Sequence, residues 1–330
     1  MVASSCPKRM VHGPCGGVRR DARCEVAAHP CVFLDLPHPP QVVPLPGTAM
    51  PDLPLVLTDL SVPPADVATL TATARRLVGS CDALLVGDHQ DRPDFAPSVL
   101  ARLIAGAGGR PWVTLACRDR TRSQLESELD RLQADALATV VCVTGDGRRP
   151  GVRAAPATVF DLDGIRLAGL AASRGLPVAV PEAPTAPPVG LRPERLVRKQ
   201  QAGASVAVLN HVGRPERVAA FVAAARALGL TMPVVASVAV WTDERSAGTL
   251  AALPGLELDR GLVAGVLAAP DPVAAGIDAA VTEAAALLAV DGVVGVNLSG
   301  LASGRGVAFA ADVQAEVGLR VRAGEAGRRG

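Results

Sequence analysis

The chain has 330 residues, of which 49% are apolar and 20% are charged, and its formal net charge is +1. This length allows one large core with a small appendage. The balanced charge excludes an extended basic surface for nucleic acid or a polybasic membrane patch. The apolar runs are too short to span a bilayer, and the N-terminus lacks the pattern of a secretory leader, so we expect a cytoplasmic protein.

The chain opens with a segment rich in cysteine, glycine and basic residues, which we expect to form a module over residues 1–35. In a reducing compartment, clustered thiols are metal ligands more often than disulfides. Four thiolates can hold zinc or an iron–sulfur cluster, although this spacing lacks the close CxxC pairs of zinc fingers. The spacing leaves open a metal site and a poorly ordered tail. The candidate metal ligands are Cys6, Cys15, Cys24 and Cys31.

A proline-rich stretch over residues 36–54 predicts an extended linker. Behind it, continuously apolar runs alternate with helical segments, which is typical of a parallel sheet covered on both faces. The predicted strands are Leu55–Leu60, Ala83–Gly87, Trp112–Cys117, Val140–Thr144, Pro177–Pro181, Val206–Asn210, Val234–Val238 and Val293–Asn297. The predicted helices lie near residues 65–78, 95–106, 121–136, 158–174, 192–203, 214–228, 244–252, 259–268 and 273–289.

The number of β-then-α units favours an α/β fold of the (β/α)8 TIM barrel type over residues 55–318, although an open doubly wound sheet fits the same alternation. Residues 319–330 are predicted to be a disordered tail. In a barrel, polar side chains that follow the strands meet at one face and outline a pocket. Such side chains include Asp59, Asp88, Arg118, Asp146, Glu182, Asn210 and Asn297.

The N-terminal stretch "CPKRMVHGPCGG", followed by "CEV" and a fourth cysteine, resembles the cysteine-rich module associated with methylenetetrahydrofolate reductases. The resemblance implies a (β/α)8 reductase that converts 5,10-methylenetetrahydrofolate to 5-methyltetrahydrofolate in one-carbon metabolism. It further implies FAD as a cofactor, NADH or NADPH as the electron donor, and zinc or an iron–sulfur cluster at the cysteines. A homo-oligomer is a further expectation.

Local patterns in the barrel resemble the same family. "VTGD" stands where the family has Arg-Gly-Asp, which implies that Asp146 contacts the pterin and tunes the flavin. "PE" and "VLN" imply folate contacts for Glu182 and Asn210. "VRKQQAGAS" implies that Lys199, one of only two lysines in the chain, approaches the cofactor phosphates. The implied cofactor-binding residues are Thr114, Gly145, Asp146 and Lys199.

The first strand departs from the family pattern. When "TDLSVPP" is matched on its two prolines, Leu60 occupies the place of the catalytic glutamate and Asp59 precedes it. A shift of one residue turns a side chain to the opposite face of a strand. Asp59 can therefore serve as the catalytic acid only if the strand end is re-registered.

The aromatic segments of the family are also replaced, by "LNHVG" and "VNLSG", which leaves few rings for stacking a flavin or pterin. Direct hydride transfer from nicotinamide without flavin is therefore a second hypothesis. Two further alternatives are a folate-binding barrel that transfers a methyl group and a non-catalytic folate-binding subunit.

Overall fold

The computed structural model describes residues 6–36, 39–45, 49–89, 94–147, 158–253, 256–300 and 302–329. Eight parallel strands close a ring in sequence order, with β1 paired to both β2 and β8. The strands are β1 (Val56–Asp59), β2 (Ala83–Val86), β3 (Pro111–Ala116), β4 (Thr139–Val143), β5 (Val178–Glu182), β6 (Val206–Leu209), β7 (Val234–Val238) and β8 (Val293–Leu298). The closed ring confirms the (β/α)8 barrel, and the open-sheet alternative is wrong.

Helices connect consecutive strands around the outside of the ring. They are α1 (Val67–Leu77), α2 (Pro97–Gly106), α3 (Arg122–Asp135), α4 (Gly164–Ala172), α5 (Arg192–Gln201), α6 (Pro215–Ala227), α7 (Glu244–Ala251), α8 (Arg260–Leu267), α9 (Pro272–Leu288) and α10 (Val307–Arg329). The connection between β7 and β8 contains α7, α8 and α9. The two additional short helices project a surface beside the mouth of the barrel.

The C-terminal segment corrects one sequence-based expectation. Helix α10 continues to Arg329 and packs against α1 and α9, so the predicted disordered tail is wrong over residues 319–329. Val321 is buried, and Arg322 forms an ion pair with Asp82 at the start of β2. These contacts fix a segment whose glycines and arginines alone resemble a tail. Residue 330 of that prediction, residues 1–5 of the module and residues 37–38 and 46–48 of the linker lie outside the described residues.

The barrel has an inner core and an outer core. Leu57, Trp112, Val141, Val206 and Val235 belong to the cluster that fills the ring, whereas the opposite faces of the strands pack under the helices. Because side chains alternate along a strand, the residue two positions after an inward one also faces inward. The side chains at the carboxyl ends of the strands are positioned by this alternation.

The N-terminal segment 6–36 folds without helices or extended strands. Its backbone is held by turn hydrogen bonds, such as Cys31 N to Ala22 O at 2.9 Å, and by a single bridge between Arg23 and Pro30. Met10 and Phe33 form a small core with the surrounding cysteines. The described part of this segment is therefore a folded module and not a loose tail. The described part of the linker contains neither helix nor strand. None of the helices in the described ranges has the length and hydropathy of a membrane span.

Candidate functional site

The cysteine module covers part of the carboxyl-terminal mouth of the barrel. Lys8 Nζ donates to the carbonyl oxygen of Gly145, after β4, at 2.8 Å. The backbone amide of Val11 donates to Oδ2 of Asp163 at 2.9 Å, and Asp163 also caps the first turn of α4. The module is therefore attached to the loop after β4 and to the helix that follows it.

Arginines of helix α5 hold the other side of the module. Arg192, which is fully buried, donates from Nη2 to the carbonyl of Cys15 at 2.9 Å and from Nη1 to the carbonyl of Pro14 at 3.2 Å. Arg198 donates to the carbonyl of His12 at 3.2 Å. A lysine at position 192 could not make the same pair of hydrogen bonds, because a single ammonium lacks the planar fork that reaches two carbonyls. The loop 12–17 is thereby fixed above β5.

A cavity of about 290 Å³ lies beneath this roof. Its walls come from the ends of β2 to β6, from α5 and from the module. Six of the residues predicted for the site line it together, which is the arrangement expected of a barrel mouth. These six are Thr114, Gly145, Asp146, Glu182, Lys199 and Asn210.

A buried ion cluster forms one wall of the cavity. Oε2 of Glu182 lies 2.7 Å from Arg195 Nη1 and 2.8 Å from Lys199 Nζ, and Oε1 lies 3.5 Å from Arg192 Nη1. Burial would raise the pKa of Glu182, but the charges of Arg195 and Lys199 outweigh it and hold that pKa far below its usual range. A single carboxylate thus faces three basic side chains at this wall of the cavity.

Lys199 is a partner within this cluster. Besides the contact with Glu182, its ammonium donates to the carbonyl of Pro181. Burial and the nearby charge of Arg195 lower the pKa of Lys199 to about 7, although Glu182 acts in the opposite direction. A lysine that titrates near neutral pH inside a cavity is a candidate for proton transfer as well as for anion binding.

A second lysine reaches the cavity from the module. Lys8 pairs with Glu25, and Glu25 accepts a hydrogen bond from the amide of Gly147. Burial works against the charge of Lys8, but Cys15, Glu25 and Asp146 outweigh it and raise the pKa of the ammonium. Together Lys8 and Glu25 hold the loop that carries Asp146. Neither residue was predicted from the sequence to be part of the site.

Only glycine fits at position 145. Its φ of +89° lies in the left-handed region, and a Cβ added there would meet the Cβ of Arg118 at 2.8 Å. Arg118 is itself buried and pairs with Asp119 at 2.8 Å and with Asp88 at 3.4 Å. The backbone turn after β4 can therefore present Asp146 to the cavity only with glycine at this position.

Asp59 lies on the opposite side of the mouth and is not among the residues that line this cavity. Its carboxylate accepts from Nδ2 of Asn297 at 3.1 Å and from the amide of Gly300 at 3.2 Å. Burial raises the pKa of Asp59 to about 6, and these hydrogen bonds oppose that shift. Leu57 belongs to the inner core and Leu60 to the outer core, so Asp59 is the inward residue at the end of β1.

The four cysteines of the module surround one small space. All four line a cavity of about 20 Å³, and none of the seven cysteines forms a disulfide. Burial and neighbouring thiols raise the pKa of Cys31 to about 11, and burial also raises that of Cys6. Across the described ranges, no group of three or more His, Cys, Asp or Glu side chains stands in a metal-binding arrangement.

The residues present do not fit a flavin. None of the described residues that line the cavity is aromatic, so an isoalloxazine ring would find no stacking surface there. Lys199 is engaged by Glu182, and Thr144, which replaces the family's arginine, accepts a hydrogen bond from the amide of Gly164 at 2.9 Å. Two of the groups that the family uses for FAD are therefore replaced, at Thr144, or already occupied, at Lys199.

Comparison with known proteins gives separate results for the two parts of the chain. Residues 2–38 match a protein family described as "Methylene-tetrahydrofolate reductase C terminal". No curated protein matches the chain.

Among solved structures, the barrel is similar to an uncharacterized protein from Clostridium thermocellum that binds two copies of 5-methyl-5,6,7,8-tetrahydrofolic acid. The TM-score is 0.58 at 13% identity, and the alignment covers 81% of this chain and 95% of that one. Tryptophan synthase from Mycobacterium tuberculosis gives a TM-score of 0.47 at 17% identity, covering 83% and 93% of the two chains. Identity this low supports the fold alone. Residues 2–38 are therefore similar to a methylenetetrahydrofolate reductase family domain, and in this chain they precede a (β/α)8 barrel.

Proposed function

We propose that the cavity beneath the module binds a reduced folate and that the barrel reduces 5,10-methylenetetrahydrofolate to 5-methyltetrahydrofolate with NADH or NADPH. The observation that carries this proposal is the meeting of six predicted residues in one cavity roofed by a module of that family. The Clostridium thermocellum protein of similar fold binds 5-methyltetrahydrofolate, the product of this reaction. That ligand supports the choice of a folate.

Asp146 and Asn210 are the residues that we assign to the pterin. Both line the cavity and both remain partly exposed to it. The pyrimidine edge of a pterin carries neighbouring N–H donors, which a carboxylate binds through charge-assisted hydrogen bonds. The carboxamide of Asn210 can both donate and accept at the same edge. The loop contacts of Lys8 and Glu25 would keep Asp146 in position.

The reaction needs a proton and a hydride. Protonation of N10 opens the five-membered ring and leaves an iminium between N5 and the methylene carbon. A hydride from C4 of the dihydronicotinamide then adds to that carbon, which becomes the methyl group while the nicotinamide is oxidised. We assign the proton to Asp59, the inward carboxyl group at the end of β1, and this requires the folate ring to extend from the cavity across the mouth to that strand. Burial raises the pKa of Asp59 to about 6, which keeps a protonated fraction near neutral pH.

We propose that the hydride passes directly from nicotinamide to the folate. The lining residues do not fit a flavin, and the chemistry above needs no intermediate carrier. The enzyme must instead hold the two substrates face to face at near contact distance.

We further propose that Cys6, Cys15, Cys24 and Cys31 bind one metal ion. Four sulfurs around a space of about 20 Å³ suit a single zinc ion better than a cluster of several irons. Its contribution would be structural, since metal binding at such sites stabilises the fold of the segment that supplies the ligands. Metal analysis should find about one zinc per chain, and an iron–sulfur absorption band would contradict zinc.

Two observations favour a second candidate, a folate-binding subunit without turnover. The proposed acid Asp59 does not line the cavity, and Glu182 and Lys199 are tied to each other. Such a protein would bind folate and leave the nucleotide unchanged.

An anaerobic assay with the purified chain separates the two candidates. Oxidation of NADH or NADPH that depends on 5,10-methylenetetrahydrofolate, with the same rate when FAD is added, supports direct reduction. Binding of 5-methyltetrahydrofolate without turnover supports the second candidate. If calorimetry detects no folate binding at all, both are wrong.

A further inference from the structure

His211 is a buried histidine that the proposed reaction does not use. It follows Asn210 in the loop after β6, and its side chain is only 4% exposed. Its ring lies between helix α9 and the segment 256–259, which leads from α7 into α8. Because Asn210 lines the cavity, the buried ring stands one residue away from the proposed pterin site.

Both nitrogens of the His211 ring face hydrogen-bond acceptors. Nδ1 lies 2.5 Å from the carbonyl oxygen of Glu257, and Nε2 lies 2.6 Å from Oε1 of Glu283 on α9. A neutral imidazole carries one N–H and can donate to only one of these oxygens, whereas the imidazolium donates to both. The observed contacts therefore correspond to the doubly protonated ring.

A different partner of Nδ1 is available to the neutral ring. The backbone amide of Gly213 lies 3.3 Å from Nδ1, and an amide can donate to that nitrogen only when the nitrogen carries no hydrogen. The carbonyl of Glu257 and the amide of Gly213 thus favour opposite protonation states. Loss of the proton would exchange the first partner for the second.

Glu283 supplies the charge that favours the imidazolium. Charged side chains next to these contacts on α6, on the segment 256–259 and on α9 form pairs of their own. These pairs are Glu257 with Arg217 at 2.5 Å, Asp259 with Arg214 at 3.2 Å and Asp278 with Arg320 at 2.8 Å. Burial would lower the pKa of His211, but the hydrogen bond and charge of Glu283 and the carbonyl of Glu257 outweigh it and raise that pKa.

The contacts of the ring belong to a larger attachment of the loop after β6. The amide of Glu257 donates to the carbonyl of His211 at 3.0 Å, and Val212 forms a parallel bridge with Glu257. On the other side, the amide of Asn210 donates to the carbonyl of Glu182 at 2.8 Å. Asn210 is therefore held between β5 and the attached loop, and a looser loop leaves its carboxamide less well placed.

We infer that His211 is a positioning residue for Asn210 and acts only as the imidazolium, by clamping the loop after β6 to the segment 256–259 and to α9. The contacts with Glu257 and Glu283 are the His211 clamp. They are complete below the usual histidine pKa of about 6.5 and are lost as pH rises through the higher value of the folded chain. The consequence for folate rests on the proposed function, whereas the clamp itself does not.

The first test follows the proton. NMR resolves the imidazole signals of the five histidines, and the signal absent from His211→Gln belongs to His211. We expect a midpoint above about 6.5 in the wild type. In Glu283→Gln it should fall by about one pH unit or more, because the opposite charge is removed. A wild-type midpoint at or below about 6.5 would overturn the inference.

Hydrogen exchange tests the clamp. The protection of the Glu257 amide reports whether the segment 256–259 stays attached to the carbonyl of His211. After correction for the intrinsic acceleration of exchange by base, protection in the wild type should fall about tenfold as His211 loses its proton. The same fall should occur at lower pH in Glu283→Gln. Protection that stays constant through the titration would overturn the inference.

Calorimetry tests the link to Asn210. Affinity for 5-methyltetrahydrofolate should fall about fivefold as His211 loses its proton, and by reciprocity saturating folate should raise the His211 midpoint by about 0.7 pH unit. Lys199 also titrates in the cavity, so the comparison with Glu283→Gln separates the two groups. In that variant, part of the fall should move to lower pH. Identical pH profiles of binding in the two proteins would remove the positioning role.

The matched control is Asp278→Asn, which changes a carboxylate of the same helix that pairs with Arg320 on α10. It should keep the wild-type midpoint, protection and pH profile, and an equal shift of the midpoint in both variants would overturn the inference. If the chain binds no folate at any pH, the proposed function fails, while the NMR and exchange results still decide the clamp.

Discussion

The two sides of the barrel mouth are built differently. On the side of β4 and β5, the module adds a roof, and the charged groups of module and barrel interlock through Lys8, Glu25 and Arg192. On the side of β1 and β8, Asp59 is held by one amide side chain, Asn297, and one backbone amide. The side of β4 and β5 is therefore a fixed binding wall, whereas the side of β1 and β8 carries a carboxyl group whose protonation can change near neutral pH.

The contrast also separates two uses of buried charge. Glu182 is surrounded by cations and stays ionised, so it can fix structure but cannot exchange a proton. Asp59 has no cation beside it, and burial raises its pKa to about 6. Two carboxyl groups at the ends of strands of one barrel are thus given different roles by their surroundings.

The largest expected effect comes from Glu182→Gln. The substitution leaves three cations without their shared carboxylate, and breaking a buried pair in this way costs about 3–5 kcal/mol. We expect the free energy of unfolding, measured in urea, to fall by that amount. The matched control Glu126→Gln removes a surface partner of Arg122 and should change it by less than about 1 kcal/mol. Equal effects of the two substitutions would show that the ion cluster around Glu182 does not stabilise the fold.

Asp59→Asn tests the carboxyl group on the side of β1 and β8. Loss of a general acid lowers turnover about 100-fold or more, whereas folate affinity should stay within about threefold because Asp59 lies outside the cavity. Steady-state kinetics and calorimetry measure the two quantities. The control Asp130→Asn changes an exposed carboxylate that pairs with Arg174 on the outside of the barrel. Unchanged turnover in Asp59→Asn would remove this residue from the mechanism.

Asp59 also predicts how stability changes with pH. Because its pKa in the folded state lies above the usual value of about 3.9, folding favours its protonated form, and this contribution is lost as pH rises through about 6. The stability of Asp59→Asn relative to wild type should therefore increase from pH 4 to pH 7.5. Urea unfolding at several pH values measures the difference, and a difference that stays constant would contradict the raised pKa.

The smallest expected effect tests the attachment of the roof. Arg192→Lys keeps the charge but loses the fork that reaches the carbonyls of Pro14 and Cys15, which weakens the contact by about 1–2 kcal/mol. Amides in the loop 12–17 should exchange hydrogen about tenfold faster. Arg174→Lys, on the outside of the barrel, should leave that loop unchanged. No change in either variant would mean that other contacts hold the roof.

Most of the fold was predictable because its signals are local. Each strand is buried on both faces and therefore reads as a continuous apolar run, such as Val234–Val238. Helix α10 was missed because it follows a glycine-rich stretch and contains glycines and arginines. Its burial depends on α1 and α9, which sequence patterns do not reveal.

The site was only partly predictable. The rule that strand ends meet at one face brought together residues such as Asp146 and Asn210. Lys8 was missed because its contact with Gly145 joins positions that are 137 residues apart. One signal was available for Arg192 and Arg195: "RPERLVRK" places four basic side chains on one short helix that must pack against a buried strand.

Binding of 5-methyltetrahydrofolate to wild type and to Asp146→Asn, measured side by side by calorimetry, tests the central claim most directly. If the roofed cavity holds the pterin, the neutral amide should weaken binding about tenfold or more, since charged hydrogen bonds contribute about 1.5–3 kcal/mol. The control Asp130→Asn should bind as wild type does. Equal binding by Asp146→Asn and wild type would contradict a pterin in this cavity.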